Sequence, residues 1–473
     1  MVARKHEIES LEWDLQKSES QFIAVYGRRR VGKTYLVRQL FKDGFAFYHT
    51  GLQKGNLRDQ LIGFRESLIK YGYPECPSLT SWHEAFAHLG KLISRKPNGK
   101  KIVFIDELPW MDTPQSKMVM AIDRFWNGWA SARNDVVLIV CGSATSWIVT
   151  KIVKDRGGLH NRLTDQIYLR PFTLGECEEY SAELGLNLSR TEIAQYYMVF
   201  GGIPYYWSLL QPGLSFAQNV DSLVFTQNGK LRLEYAQLFS SLFRHARVHL
   251  AVVEALARRP YGTTREEIAA ATKIPQGGNF KVVLEELEQC GFIRGFNEPG
   301  KKKKGRQYQL VDNYTLFWNQ FAGDKDIGDE KRLENSINTP RVNTWKGVAF
   351  EKVCLQHVPQ IKEKLGIRGV LTGTYAWRHV PDKVYTEGAQ IDLLLDRADG
   401  IINVCEMKWS TGPFVIDKKK DRELREKVNV FSQVTGTRKG VHLTMVTTEG
   451  VAHNEYRWTP QSEVTLDDLF RPI

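Results

Sequence analysis

The sequence predicts an α/β protein of several domains, the first of them a parallel, helix-flanked sheet. Three observations predict it. Apolar, strand-like runs alternate with helical stretches from Phe22 to about Leu169. The first run, Phe22-Ile23-Ala24-Val25-Tyr26, opens into a loop bounded by glycines, and a helix over Tyr35–Phe41 leaves that loop. Far downstream, two further apolar runs flank a turn carrying Asp399-Gly400 and bear acids. A chain of 473 residues has room for about two to four domains.

The first loop reads Gly27, Arg28, Arg29, Arg30, Val31, Gly32, Lys33, Thr34. It fits G-x-x-x-x-G-K-[ST] in the strand–loop–helix setting that motif requires. Glycine at 27 and 32 lets the backbone approach a polyphosphate with its N–H groups turned inward. The helix N-terminus adds positive potential. Lys33 would reach the β- and γ-phosphates, and Thr34 would ligate Mg²⁺. A second apolar strand, beginning at Lys101, ends in Asp106-Glu107. Asp106 is placed to hold Mg²⁺, and Glu107 to orient or polarise an attacking water. A third strand, Val136–Gly142, runs into Ser143; Ser143 or Thr145 is a candidate to sense the γ-phosphate.

Composition narrows the setting. The six cysteines (76, 141, 177, 290, 354, 405) form no C-x-x-C pair and no regular spacing, which argues against a disulfide framework and a zinc site. Residues 1–14 are charged and lack an apolar signal core. No run of about 18 apolar residues occurs. A soluble, cytoplasmic protein without a membrane partner is expected. The net charge of +11 is compatible with a nucleic-acid partner.

Past residue 170 the rhythm changes. Arg170-Pro171-Phe172 breaks the alternation, and Thr173 with Glu176 makes a capping box. Residues 171–243 read as a helical lid on the core of residues 1–170. Residues 244–322 carry three short helical patterns and two strands, 292–296 and 307–310, around a loop containing Lys301-Lys302-Lys303-Lys304. That order of elements reads as a winged helix-turn-helix. Two uses of it stay open, DNA contact through helix and wing or packing against protein. Glu285, Glu286 and Glu288 on the helix that would enter a groove oppose insertion between phosphates, whereas the lysine wing favours a backbone contact. Residues 323–343, rich in charge, Gly and Asn, read as a linker, and a further α/β pattern occupies 344–473.

That last region holds a compact set of acids. Gln390-Ile391-Asp392-Leu393-Leu394-Leu395 is one strand, and Ile401–Lys408 is its return. Glu406 and Lys408 are two apart and so share a face. Closing the hairpin sets Asp392 roughly opposite Cys405 and Glu406, so Asp392, Glu406 and Lys408 can converge. Two carboxylates at one point suit a hard divalent cation, Mg²⁺ or Mn²⁺. The lysine can position a water or stabilise charge developing on a phosphate. Glu351, on a helix beginning near Gly347, is a candidate outer carboxylate. Unpaired acids inside apolar strands are costly, which favours metal binding here.

The D…E-x-K arrangement with a helix glutamate resembles the PD-(D/E)XK nuclease superfamily, over about residues 343–410. That resemblance implies a restriction-endonuclease-like α/β fold, with Asp392 and Glu406 as metal ligands, Lys408 as catalytic lysine and Glu351 as the helix acid. Gln390 sits where many members carry an extra polar residue. Ile391 stands where the family name has proline, a position often not proline. A larger ordered set resembles the archaeal-type ATPases, a group of AAA+/STAND-like P-loop NTPases. It comprises the Gly27–Thr34 loop, Ile105-Asp106-Glu107, Gly142-Ser143-Ala144-Thr145-Ser146-Trp147, Leu169-Arg170-Pro171-Phe172-Thr173 and Gly201-Gly202-Ile203-Pro204-Tyr205-Tyr206. The resemblance spans about residues 5–210. Members often carry a winged helix and a C-terminal nuclease-like domain in this order. The same resemblance makes Arg156 or Arg162 a candidate γ-phosphate-sensing or finger arginine; one acting in trans would require a homo-oligomer.

Taken together, these readings lead to the expectation of an ATP-binding and ATP-hydrolysing protein that couples a nucleotide switch to metal-dependent cleavage of nucleic acid, DNA first and RNA as the alternative substrate. The competing expectation is an ATP-controlled regulatory or DNA-binding switch, working with a protein partner, whose nuclease-like domain does not cut. An intact Asp392–Glu406–Lys408 set speaks for the first.

Overall fold

The first strand, β1 (Gln21–Tyr26), has five of its six residues buried, and β3 (Lys101–Asp106) and β4 (Val136–Gly142) are buried throughout. Such strands belong in the middle of a parallel sheet covered on both faces. In the computed structural model they do. The model describes residues 3–42, 44–153, 161–243, 245–297, 306–322, 329–381 and 383–473. With β2 (Phe45–Thr50) and β5 (Asp165–Tyr168) they form a five-stranded sheet of order β2-β3-β4-β1-β5, every pairing parallel. The chain divides into two compact units, residues 1–171 and 172–473, and this sheet is the centre of the first.

The strand order positions the first site. β4 lies between β1 and β3, with Tyr26 opposite Gly142 and Ile105 opposite Val140. The carboxyl ends of all three strands therefore open at one edge, where open α/β sheets place their ligands. Beneath it, Phe22, Phe47, Phe64, Trp82, Phe86 and Trp126 pack into an aromatic core. The helix expected at Tyr35 begins earlier, over Lys33–Phe41, and buries Leu36 and Val37.

The second unit opens with helices Leu174–Glu183 and Arg190–Phe200. Capping boxes start both, Thr173 with Glu176 and Ser189 with Glu192. Helices Ala246–Ala257, Arg265–Thr272 and Gly278–Gln289 follow, with an antiparallel three-stranded sheet of order β6-β8-β7: β6 (Thr263–Thr264), β7 (Ile293–Phe296) and β8 (Gln307–Leu310). Lys301–Lys304 lie outside the described residues.

The stretch expected as a linker departs from that expectation. Residues 329–343 include helix Arg332–Ser336 and the start of helix Pro340–Gln356. Its polar composition misled because the first helix is held by a distant acid. Asp221, buried, accepts the backbone N–H groups of Leu333 (2.8 Å) and Glu334 (2.9 Å). Thr339 caps the second helix, with proline at its first turn.

The C-terminal sheet has order β13-β12-β11-β10-β9. β9 (Thr372–His379), β10 (Ala389–Arg397) and β11 (Ile401–Lys408) form an antiparallel meander. Helix Lys418–Thr435 then crosses to β12 (Gly440–Thr447), which pairs parallel with β11 and with β13 (Ser462–Thr465). Leu424, Val430 and Phe431 of that helix pack with Trp377, Leu394 and Met445. All six cysteines are free and buried. Among the described residues no helix is long and apolar enough to cross a membrane.

Candidate functional site

The phosphate loop is shaped by its neighbours. Gly27 lies at φ +147°, and a Cβ there would meet the Leu169 carbonyl oxygen at 2.3 Å, so only glycine fits. Gly32, at φ +95°, turns the chain into the helix. Arg4 braces the loop from outside the motif. Its Nη2 donates to the Val31 carbonyl (3.1 Å) and the Arg170 carbonyl (2.6 Å). Lys33 is buried, and its Nζ donates to the carbonyls of Gly27 and Arg28, each at 2.9 Å.

The Thr34 hydroxyl donates to Asp106 Oδ2 at 2.8 Å, so two hard oxygens from separate elements meet. That pair fits Mg²⁺, which takes few protein oxygens beside water and nucleotide phosphates. Burial raises the Asp106 carboxyl, and the Glu107 charge beside it raises it further. Glu107 sits at φ +48°, a left-handed conformation that a non-glycine residue holds at a cost. Its carboxylate is clasped at the end of β4. The Ser143 backbone N–H donates to Oε2 (3.0 Å) and the Ser143 hydroxyl to Oε1 (2.6 Å). Ser143 therefore lies directly on Glu107, whereas the buried Thr145 hydroxyl has no such contact. Arg28, Arg29, Arg30 and Val31 lie in the loop between β1 and helix Lys33–Phe41. Arg162 is exposed in the turn ahead of β5, and Arg156 lies outside the described residues.

In the second unit the strand register assembles the acids. Leu393 pairs with Cys405, so the next antiparallel step sets Asp392 against Glu406. On its other side β10 slips by one residue against β9 between Ile391 and Leu394. Such a bulge re-aims side chains and is frequent beside functional sites. Gln390 Nε2 donates to Asp392 Oδ1 at 2.9 Å. Glu351 is buried on helix Pro340–Gln356, and its Oε2 has no hydrogen-bond partner. Burial raises its carboxyl, with the Asp392 charge next in effect. An orphaned buried carboxylate oxygen beside a second carboxylate fits a hard cation. Among the described residues, no three His, Cys, Asp or Glu side chains stand close enough together to share an ion, so water or backbone oxygens would complete its shell.

Glu406 is different. Lys427 Nζ donates to its Oε2 at 2.5 Å, Lys408 Nζ lies 3.0 Å from Oε1, and Lys420 Nζ lies 3.6 Å from Oε1. Burial opposes its charge, but Lys427 and Lys408 outweigh burial and hold the carboxyl down to about 2. Burial likewise disfavours the Lys408 ammonium, and Glu406 overcomes it. Lys420 and Lys427 were not read from the sequence. The run Lys418-Lys419-Lys420 with Lys427 seven residues on, two helical turns, was the available signal.

Residues 1–210 match the family described as an ATPase domain predominantly from Archaea. The match takes in the phosphate loop, Asp106, Glu107 and Ser143. Over 424 residues the chain is 24% identical to the uncharacterized protein MJECL04 of Methanocaldococcus jannaschii, covering 86% of this chain and 87% of that one. Solved structures similar to it include the Walker-type ATPase PABY2304 of Pyrococcus abyssi, 17% identical, covering 68% of this chain and 96% of that chain at a TM-score of 0.47. The Aeropyrum pernix ORC2 protein, in ADPNP and ADP complexes, is 14% identical, covering 72% and 96% at a TM-score of 0.41.

Proposed function

We propose that this ATPase-domain protein binds and hydrolyses ATP at the Gly27–Thr34 loop and uses the nucleotide to control metal-dependent cleavage of DNA by residues 344–473. Thr34 and Asp106 would hold Mg²⁺, which bridges and neutralises nucleotide phosphates when bound. Lys33 binds the phosphates. Glu107 accepts a proton from, or orients, the attacking water, and Ser143 reports the γ-phosphate through its bonds to Glu107. A finger role for Arg162 in trans would make the active species a homo-oligomer.

The observation that carries the cleavage half is the β10–β11 register, whose continuation from Leu393–Cys405 brings Asp392 toward Glu406, with Lys408 3.0 Å from Glu406. Asp392 and Glu351 are the carboxylates available to Mg²⁺ or Mn²⁺, which would supply a polarised phosphate and a more acidic water when bound, whereas Glu406 is held by Lys408, Lys420 and Lys427. Lys408 supports charge developing on the phosphodiester.

We read helices 246–289 with β6–β8 as a winged helix that contacts the DNA backbone. Two of the acids that would oppose this are occupied. Glu286 lies 2.8 Å from His249 Nε2, while Glu288 accepts from the Gly295 N–H (2.9 Å) and from Arg306 (2.6 Å). A second reading, a regulatory switch whose C-terminal domain does not cut, is favoured by the missing third ion-binding side chain among the described residues.

Incubating plasmid and single-stranded DNA with Mg²⁺ or Mn²⁺, with and without ATP, separates the two. Cutting by wild type that Glu406→Ala loses supports the nuclease. Intact DNA in every arm favours the switch, and RNA cut in place of DNA changes the substrate.

A further inference from the structure

The carboxylate site holds more positive charge than Glu406 needs. Three ammonium groups, from Lys408, Lys420 and Lys427, surround one carboxylate whose side chain is 8% exposed. Lys427 at 2.5 Å already neutralises it. Lys420, at 3.6 Å, is too far for a good hydrogen bond to Glu406 and donates instead to the half-exposed Glu423 Oε2 at 3.3 Å, a solvent-screened partner on its own helix. Holding long lysine side chains together costs rotamer freedom and mutual repulsion. Docking of their helix does not require them, because Leu424, Val430 and Phe431 bury its inner face. The three lysine side chains also remain between 23% and 34% exposed, so the cluster is partly open to solvent.

We propose that Lys420 and Lys427, together with Lys408, form a subsite for the phosphodiester of the nucleic-acid strand, with Glu406 as the template that holds the ammonium groups ready. Lysine serves as a compact, rotatable point charge, suited to leaving Glu406 for a phosphate oxygen. This inference rests on the nuclease reading of Asp392, Glu406 and Lys408. It adds a binding surface on helix Lys418–Thr435, so strand recognition comes partly from outside the hairpin that carries the acids.

The test is DNA affinity of the full chain, read by fluorescence anisotropy of a labelled oligonucleotide with Ca²⁺ replacing Mg²⁺, across a salt series. Removing one lysine–phosphate ion pair should reduce the slope of log affinity against log salt by about one. The Lys420→Gln/Lys427→Gln variant should therefore bind about tenfold more weakly with a slope lower by about two, while Lys420→Arg/Lys427→Arg keeps most of the affinity. Lys420→Gln alone, a change at the lysine farthest from Glu406, should lower the slope by about one. Lys418→Gln/Lys419→Gln, on the same helix and equal in charge, should change the slope less than the first variant. Equal losses in the two double variants, or a slope unmoved by Lys420→Gln, would overturn the subsite. Asp392→Asn is assayed for cutting in Mg²⁺ in parallel. Full cutting by that variant would overturn the nuclease reading while leaving the salt-slope result to decide the lysines, and an RNA oligonucleotide that alone shows the slope change would move the substrate to RNA.

Discussion

The two candidate sites solve the problem of a buried carboxylate in opposite ways. Asp106 and Glu107 are surrounded by neutral donors, namely the Thr34 and Ser143 hydroxyls and the Ser143 backbone N–H. Burial raises Asp106, and the Glu107 charge raises it further. Glu406, similarly buried, has three ammonium groups and is held down to about 2. A carboxylate satisfied only by hydroxyls and amides keeps its charge cheaply once a cation arrives, so the first site suits a metal-bound polyphosphate. A carboxylate already crowded by lysines favours an anion. The contrast leaves Asp106 open to a cation and Glu406 already neutralised by lysines, and the proposed roles of the two units build on that difference.

The sharpest way to break that division is to remove the motif lysine of the first site. Lys33→Ala should lower ATP turnover by about a thousandfold, measured as phosphate release, because phosphate charge loses its fixed partner. Turnover near wild type would end the phosphate-loop assignment. Glu107→Gln keeps the shape and one acceptor for Ser143 but removes the base. It should cost about 10²–10⁴ in turnover while nucleotide binding, followed with a fluorescent ATP analogue, stays within a few-fold. In the second unit, Asp392→Ala should abolish metal-dependent cutting while leaving ATP turnover intact. A parallel loss of both activities would mean the two sites are not the separate devices drawn here.

Much of the first site was legible because it is local. A phosphate loop is eight consecutive residues, and the strands around it are apolar without interruption, so β1, β3 and β4 were found where they lie. Which strands neighbour one another was not legible. The insertion of β4 between β1 and β3 brings Ser143 onto Glu107 across 36 residues of sequence, and no local pattern encodes it. In the C-terminal sheet the Asp399-Gly400 turn set the hairpin, but the register slip beside Asp392 arises from pairing with β9, a strand the sequence pattern did not single out. The helix carrying Glu351 was placed to start near Gly347 and starts at Pro340, although Thr339-Pro340 is a plain start signal. Lys427 escaped because its partner is 21 residues away on another element.

Stability tests the same contrast with smaller effects. Asp106→Asn removes a buried charge that lacks a cationic partner, so the thermal transition containing the first unit should hold or rise, by about 1 kcal/mol at most. Glu406→Gln leaves Lys408 and Lys427 without their nearest counter-charge, while Lys420 keeps Glu423. The lysines are partly exposed, so the loss should be about 1–3 kcal/mol, below that of a fully buried pair. Calorimetry that resolves the transitions of the two units reads both changes. A destabilised Asp106→Asn or an unaffected Glu406→Gln would contradict the electrostatic account.

Acid should then bring each variant toward wild type from opposite sides. The Glu406 carboxyl is depressed in the folded chain, so its stabilisation is complete above its unfolded value of about 4.5 and is lost as pH falls toward about 2. The advantage of wild type over Glu406→Gln should shrink across that window. Asp106 is raised in the folded chain, so its protonation on acidification favours folding, and any advantage of Asp106→Asn should shrink as well. The buried histidines His49 and His357, each lowered to about 4 by burial, destabilise wild type and variants alike as pH drops below about 6.5. Differences between each variant and wild type cancel that shared background. Melts at pH 7, 4 and 3 therefore isolate the two carboxylates. A gap for Glu406→Gln that stays constant down to pH 3 would show that the lysines around Glu406 pack there without binding its charge.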